Sequence, residues 1–271
     1  MFGDTLTGLE IEPFSTQFQT RTATLPSMSQ PPRPSLPMPD TVPLAVPDGF
    51  DERLRALGVH LAPSVLDLIG DYLARLLAMN EQMNLTAIVD AQQAWEKHGL
   101  DALSLLPHLD ELRPGMRLAD VGSGGGVPGI ILAAARPDLK VTLIEATLKK
   151  AAFLEAVVTT LGLAQVTVRA VRVEALHRSE VAGTFDVVTA RAVAKLAALV
   201  PLVAPLVRPG GRLLLIKGQR ADEELAAAKS ALAKHGTRHV STVNTPTGRV
   251  VVLRRSEAAV SVGQRPRRKR P

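Results

Sequence analysis

Asp120-Val-Gly-Ser-Gly-Gly-Gly-Val-Pro-Gly129 (DVGSGGGVPG) is the stretch on which the fold turns. An apolar run, Leu118–Val121, leads straight into it, and a stretch with helical spacing, Val127–Arg136, leaves it. Glycines let a backbone turn sharply and approach a ligand closely. Pro128 suits the first turn of the following helix, where its missing N–H costs nothing. A strand that passes through a glycine turn into a helix N-terminus is the setting in which nucleotide-type ligands bind.

Outward from this loop, short apolar runs alternate with longer amphipathic ones. The spacing predicts strands at Arg117–Val121, Lys140–Glu145, Val166–Val171, Phe185–Ala190 and Arg212–Lys217, with closing strands near His239–Val243 and Val250–Arg254. Helices are expected at Val127–Arg136, Leu148–Leu161, Val193–Val207 and Ala221–His235. Pro137 and Pro209-Gly210 are expected to terminate the helices before them. Alternation of this kind predicts an α/β fold, a doubly wound and mostly parallel sheet of about seven strands. Upstream, Val65, Leu66, Leu68, Ile69, Tyr72, Leu73, Leu76 and Leu77 recur at helical spacing, and a second helix is expected over Ala91–Leu106. Residues 49–110 therefore read as an N-terminal helical cap, and residues 111–255 as the ligand-binding domain.

Both ends read differently. Residues 1–48 hold nine of the twenty prolines and no periodic apolar face, so a disordered extension is expected there. Residues 256–271 carry the basic run Arg265–Arg270 and read as a disordered tail, with nonspecific RNA contact as the sharper alternative. The net charge of +6 is uneven: −3 over residues 1–48, +6 over residues 254–271 and +3 over the body. Mild positive charge suits an RNA partner and equally suits a solvated surface. The chain has no cysteine, which excludes disulfides and thiolate metal sites and fits a cytosolic protein. No apolar run reaches membrane-spanning length, and no basic-then-apolar leader opens the chain. The six histidines show no metal-ligand spacing, so no metal is expected.

Gly124–Gly129 also fits GxGxxG, which by itself serves NAD as well as other adenosine ligands. Two neighbours bear on the choice. Asp120 sits on the strand just before the glycines, where it can face the amino group of a zwitterionic amino-acid moiety; S-adenosylmethionine has such a group and NAD does not. Glu145 ends the second strand and can accept hydrogen bonds from ribose hydroxyls, which suits either cofactor. The plain alternative is a tight turn joining strand to helix. Arg191 follows the fourth strand, which flanks the expected switch point; a salt-bridged surface arginine is the alternative. Glu174, after the third strand, can reach an adenine edge by position, although an exposed glutamate at a helix start is the commoner explanation. His98 and Asp101 lie close along one helix, which does not make them a catalytic pair.

With these residues in place, Leu54–Arg254 resembles the ribosomal RNA small subunit methyltransferase G family. Its markers run in order. They are Asn80-Glu-Gln-Met-Asn84-Leu85-Thr86, then Lys97-His98-Gly-Leu-Asp101, the glycine loop with Arg136-Pro137, and Lys149-Lys150 with Phe153-Leu154. Arg172-Val173-Glu174, Ala190-Arg191-Ala192 and Lys217-Gly218 follow. The resemblance implies a Rossmann-like class I methyltransferase that modifies N7 of guanine 527 in 16S ribosomal RNA. Its partner would be that RNA or the small ribosomal subunit, and the protein a cytoplasmic monomer. It implies cofactor contacts at Gly122, Val127, Val173, Glu174 and Arg191, with Asp120, Gly124 and Glu145 completing the binding set. Gly125, where many members carry another residue, and Glu145, where some carry Asp, are mild departures.

Guanine N7 already has a free lone pair, so no general base is demanded and no catalytic residue is singled out. N7 lies on the Hoogsteen edge, which the deep groove of A-form RNA hides, so an open target loop or junction is expected. Asn84, His98, Lys149, Lys150 and Lys217 are candidates for RNA contact, each with a structural role as the alternative. A methyltransferase of another substrate, an NAD-dependent dehydrogenase and a non-catalytic ribosome-assembly factor are the competing readings.

Overall fold

Seven strands organise the protein: β1 Arg117–Val121, β2 Lys140–Ile144, β3 Val166–Arg169, β4 Phe185–Arg191, β5 Val207–Lys217, β6 Thr237–Asn244 and β7 Arg249–Arg255. In the computed structural model, which describes residues 36–257, they form one sheet in the order β3-β2-β1-β4-β5-β7-β6. The β1–β2, β1–β4, β2–β3 and β4–β5 pairs are parallel. β7 runs antiparallel to both β5 and β6. Side-chain burial explains why β7 lies inside β6: Val250–Leu253 are all buried, whereas most of β6 is exposed and suits an edge. The chain winds outward from β1 to β3, then returns across β1 to β4, so the switch point lies between β1 and β4.

Helices cover both faces. Alternate residues of each strand feed two separate cores, as a sheet buried on both sides requires. Leu118, Val141, Leu143, Val187 and Leu214 point into one core, and Ala119, Val121, Ile144, Val188 and Leu213 into the other. The first core includes α1 Phe50–Ala56, α2 Pro63–Met83, α5 Gly129–Ala135 and α6 Leu148–Thr160. Between α2 and α5 runs one continuous helix in three parts: α3 Ala91–Ala94, a π-helical segment Trp95–Leu100 and α4 Asp101–Leu103. The second core takes α7 Leu196–Val203, α8 Ala221–Ala227 and α9 Lys229–Lys234. Trp95 and Phe50, both fully buried, meet edge to face with ring centroids 4.9 Å apart and lock the cap.

Several boundaries differ from the sequence reading, each for a local reason. The helix expected over Val193–Val207 is limited to α7 and a 3₁₀ turn, Ala204–Leu206, in which Pro205 supplies no N–H. β5 then starts at Val207, so Pro209-Gly210 lies at the strand's edge and ends no helix; the β4–β5 register shifts between Phe185 and Val187. The Ala221–His235 helix breaks at Ala228. Ala91–Leu106 ends at Leu103, a 3₁₀ turn following at Leu106–Leu109.

The largest correction concerns residues 36–48, expected to be disordered. They form an extended strap over the cap, with Leu36, Met38, Leu44 and Val46 packed on the first core. Prolines preset this extended path, so the apolar residues need no helical period to reach the core. Leu44 N–H donates to Gly70 O at 3.1 Å, and Arg75 donates to Pro39 O at 2.8 Å. A Cβ on Gly70 would lie 2.5 Å from Leu44 O, so this contact requires glycine. The rest of the expected extension and the basic run of the tail lie outside the described residues.

Candidate functional site

The glycine loop is held from below. Gly122 and Ser123 both donate their N–H to Ile144 O, at 2.9 and 3.2 Å, tying the loop to the end of β2. Gly122, Gly124 and Gly126 have φ of 69°, 57° and 103°, where side chains are strained. Asp120 sits beneath, 1% exposed. Its Oδ2 accepts from Gly129 N–H at 3.2 Å, and its Oδ1 accepts from the Thr189 hydroxyl at 2.9 Å. Burial pushes its pKa up to about 6 against these hydrogen bonds and the Arg191 charge. Asp120, expected to face a cofactor amino group, thus has protein partners on both oxygens and acts on the site through the loop.

Above the loop lies a cavity of 220 Å³, lined by Gly122, Gly124, Gly125 and Val127 on one side and by Leu85, Thr86, His98 and Arg191 on the other. The cap presses directly onto the glycines. The Tyr72 hydroxyl donates to Gly125 O at 2.7 Å, and a Cβ on Gly125 would lie 2.7 Å from Leu76 Cδ1. Asn80 shapes the opposite wall by accepting from Leu85 N–H at 2.7 Å and from Thr86 N–H at 2.8 Å. Asn84 caps α2 in the left-handed region and is exposed.

Arg191, at the end of β4, closes the cavity. It donates to Lys97 O at 2.6 Å and to His98 Nδ1 at 2.9 Å, and stands 3.8 Å from Asp101 Oδ2. Because a guanidinium can only donate, His98 Nδ1 accepts, so the ring proton sits on Nε2 and is donated to Thr86 Oγ1 at 2.8 Å. Burial and the Arg191 charge hold the His98 pKa down at about 4, so the ring is neutral at physiological pH. The Thr247 hydroxyl, from the β6–β7 turn, donates to Asp101 Oδ1. Burial also raises the Asp101 pKa. The wide π turn carries both Lys97 and His98, and such turns recur at functional sites.

Of the residues singled out from the sequence, Gly122, Gly124, Val127 and Arg191 line the cavity. Glu145 supports it: Oε2 accepts from Gly124 N–H at 2.8 Å and Oε1 from Thr147 N–H at 2.7 Å. Val173 is buried in the second core and Glu174 is exposed; neither lines this cavity. They follow β3, two strands beyond β1 on the same edge of the sheet. Lys217, a candidate for RNA contact, instead has a side chain only 8% exposed, donating to Ala194 O at 2.7 Å and pairing with Glu224 at 2.8 Å. Lys149 is exposed and donates to Gln82 O. Tyr72 and Thr247 are site residues that the sequence reading misses, and Thr86 enters it only as part of a family marker. Tyr72 was visible only as one more apolar-face residue of α2, and Thr247 is 146 positions from its partner Asp101. Among the described residues, no group of three or more His, Asp or Glu side chains is placed to hold a metal, and no helix is long and apolar enough to cross a membrane.

The strand order with its reversed β7, and the glycine loop at the switch point, define a Rossmann-like class I methyltransferase, a fold that draws its methyl group from S-adenosylmethionine. The model of the rRNA small subunit methyltransferase G family matches residues 66–252. A ribosomal RNA small subunit methyltransferase G from Sorangium cellulosum is 58% identical over 236 residues, covering 87% of this chain and 96% of the relative. One from Halorhodospira halophila is 44% identical over 185 residues, 68% of this chain and 85% of the relative. Among solved structures, the chain is similar to a SAM-dependent methyltransferase from Aquifex aeolicus at 18% identity, with a TM-score of 0.47 over 59% of this chain and 92% of that one. The chain belongs to the ribosomal RNA small subunit methyltransferase G family.

Proposed function

We propose that the protein transfers the methyl group of S-adenosylmethionine to N7 of guanine 527 in 16S ribosomal RNA. Membership of the family over residues 66–252 is the observation that carries the substrate. The residues present fit the methyl donor. Gly122 leaves backbone open to the cavity where any side chain would be strained, and Glu145, which holds Gly124 N–H, brings an acidic side chain beside the loop. Arg191, Gly122–Gly124, Glu145 and Val173–Glu174 follow the ends of β4, β1, β2 and β3, which are successive in the sheet. An elongated ligand can therefore run from Arg191 to Glu174 along one edge, with its ribose at Glu145. S-adenosylmethionine supplies a methyl group already activated on a positively charged sulfur.

The chain's own part is positioning. Both ring nitrogens of His98 are bonded, to Arg191 and Thr86, so this neutral ring is fixed as a wall and is no free base. That agrees with a nucleophile whose lone pair needs no deprotonation. Alignment then supplies the catalysis, with Arg191, His98 and Thr86 holding the cap against the sheet. Lys149 and Lys150, at the start of α6, remain the basic candidates for RNA contact. The reading includes action in the cytoplasm, as a monomer and without a metal. Incubation with labelled methyl donor and rRNA from a strain lacking the gene, followed by mapping of the modified base, tests it. Label at guanine 527 N7 that persists in chelator is expected; label elsewhere or none refutes it.

A further inference from the structure

Beside the first cavity lies a larger one of 400 Å³. The two share Thr86, Ala87, His98 and Arg191, so a ligand in the second abuts a ligand in the first. Lys97, Asp101 and Thr247 line only the second. Asp101 is 6% exposed, an uncommon place for a carboxylate. The Thr247 hydroxyl donates to its Oδ1 and the Thr245 side chain also hydrogen-bonds to the carboxylate, while its Oδ2 is 3.8 Å from the Arg191 guanidinium, beyond hydrogen-bonding distance. A carboxylate offers about four acceptor positions, so capacity remains on the side of the cavity.

Purine geometry says what belongs there. N7 lies on one side of the ring system, and N1 with the 2-amino group lies on the other. With N7 at the shared wall, the Watson–Crick edge falls among the residues that line only the larger cavity. Of the four RNA bases, guanine alone presents two adjacent donors on that edge, and one carboxylate can accept both. Resting on the methyl-transfer reading above, we propose that the larger cavity receives the target guanine and that Asp101 is its specificity-determining acceptor, taking hydrogen bonds from N1–H and the 2-amino group.

Asp101 also acts on the rate. The N7 lone pair forms the new C–N bond, and the C–S bond breaks with its electron pair left on sulfur. No proton departs, so the positive charge passes from sulfur to the purine. The cationic ring makes N1–H a stronger donor, and its bond to Asp101 tightens as transfer proceeds. An interaction that strengthens in this way accelerates the step.

The test compares 16S rRNA carrying guanine or inosine at position 527. Inosine keeps N7 and N1–H but lacks the 2-amino group. The wild type should favour guanine by about tenfold or more. Asp101→Asn should bind S-adenosylmethionine within about twofold of wild type by calorimetry, yet transfer to guanine about tenfold to a hundredfold more slowly. Its guanine-to-inosine ratio should fall to near unity. That ratio does not depend on the folded fraction, so partial misfolding cannot mimic the result. Wild-type transfer to guanine with a ratio unchanged in Asp101→Asn overturns the role of Asp101 alone. Absence of any wild-type transfer to guanine N7 overturns the methyl-transfer reading together with it.

Discussion

Replacing Asp120 with asparagine should stabilise the protein at neutral pH, and the gain should disappear in acid. The carboxylate is 1% exposed, and burial raises its pKa from 3.8 to about 6. Below the lower value both folded and unfolded chains hold the proton, and ionisation imposes no penalty. Between the two values the unfolded chain loses its proton first, so this group's contribution to stability declines as pH rises. Above about 6 the full penalty applies. At about 1.4 kcal/mol per pH unit, the interval amounts to about 3 kcal/mol. Asparagine resembles the neutral acid: its Oδ1 can accept from Gly129 N–H and its amide can donate to Thr189 Oγ1. The variant should therefore be about 2–3 kcal/mol more stable at pH 7 to 8 and nearly equal to wild type at pH 4. His98 works in the opposite sense. Its pKa is held at about 4, so its contribution is present above 6.5 and is lost as pH falls. It is common to both proteins and cancels in the difference. Urea unfolding of the pair across this range provides the assay. A stability difference independent of pH, or an Asp120→Asn protein less stable at pH 7, would refute the reasoning.

Three further outcomes follow from the site. Arg191→Ala removes the donors to Lys97 O and His98 Nδ1, and should weaken cofactor binding or methyl transfer by about 1–3 kcal/mol without unfolding the chain; unchanged affinity and rate would take Arg191 out of the site. Gly122→Val places a Cβ 2.6 Å from Val193 Cγ2 at φ 69° and should abolish cofactor binding in a chain that still folds, because Val193 is partly exposed and can move; wild-type affinity by calorimetry would contradict this. Gly129→Ala should be more damaging to stability, since its Cβ would lie 2.3 Å from Leu143 Cδ2 and 2.8 Å from Asp120 Oδ2, both buried. A loss of about 2 kcal/mol or more in urea unfolding is expected, and no loss would show that the packing beneath the loop yields easily.

The sheet was legible because two-residue periodicity and buried β-branched runs mark strands directly, and all seven were placed within a few residues except the start of β5. There, Pro209-Gly210 reads as a helix stop, yet both residues fit the bulge at which the β4–β5 register shifts. The strap was missed because an extended Pro-rich segment and a disordered one share a composition; only the partner surface, Gly70 with its missing Cβ, distinguishes them. In the site, the glycines carried their own signal, since positive φ selects for them. The roles of Asp120 and Glu145 were less legible, because an acidic residue beside a loop can serve a ligand or the loop itself. Here both carboxylates bond loop N–H groups. The union of Asp101 with Thr247 depends on tertiary distance alone and left no local trace.

The π segment at Trp95–Leu100 separates two kinds of damage that usually coincide. An α-helix would be the more favourable backbone here, and losing one residue from the segment would restore it. That deletion would keep the phase, because the π turn already holds the extra residue; rewinding the full-length segment as α-helix would instead rotate everything beyond it by about 100° relative to Trp95. Trp95 would keep its place against Phe50, while Asp101 would swing away from Thr247 and from the mouth of the larger cavity. The extra residue thus acts as a phase adjustment, letting one rod present an anchor to the cap's interior and its polar groups to the reaction space. Rewound as α-helix at full length, the rod would leave a folded protein whose two cavities no longer face a common wall.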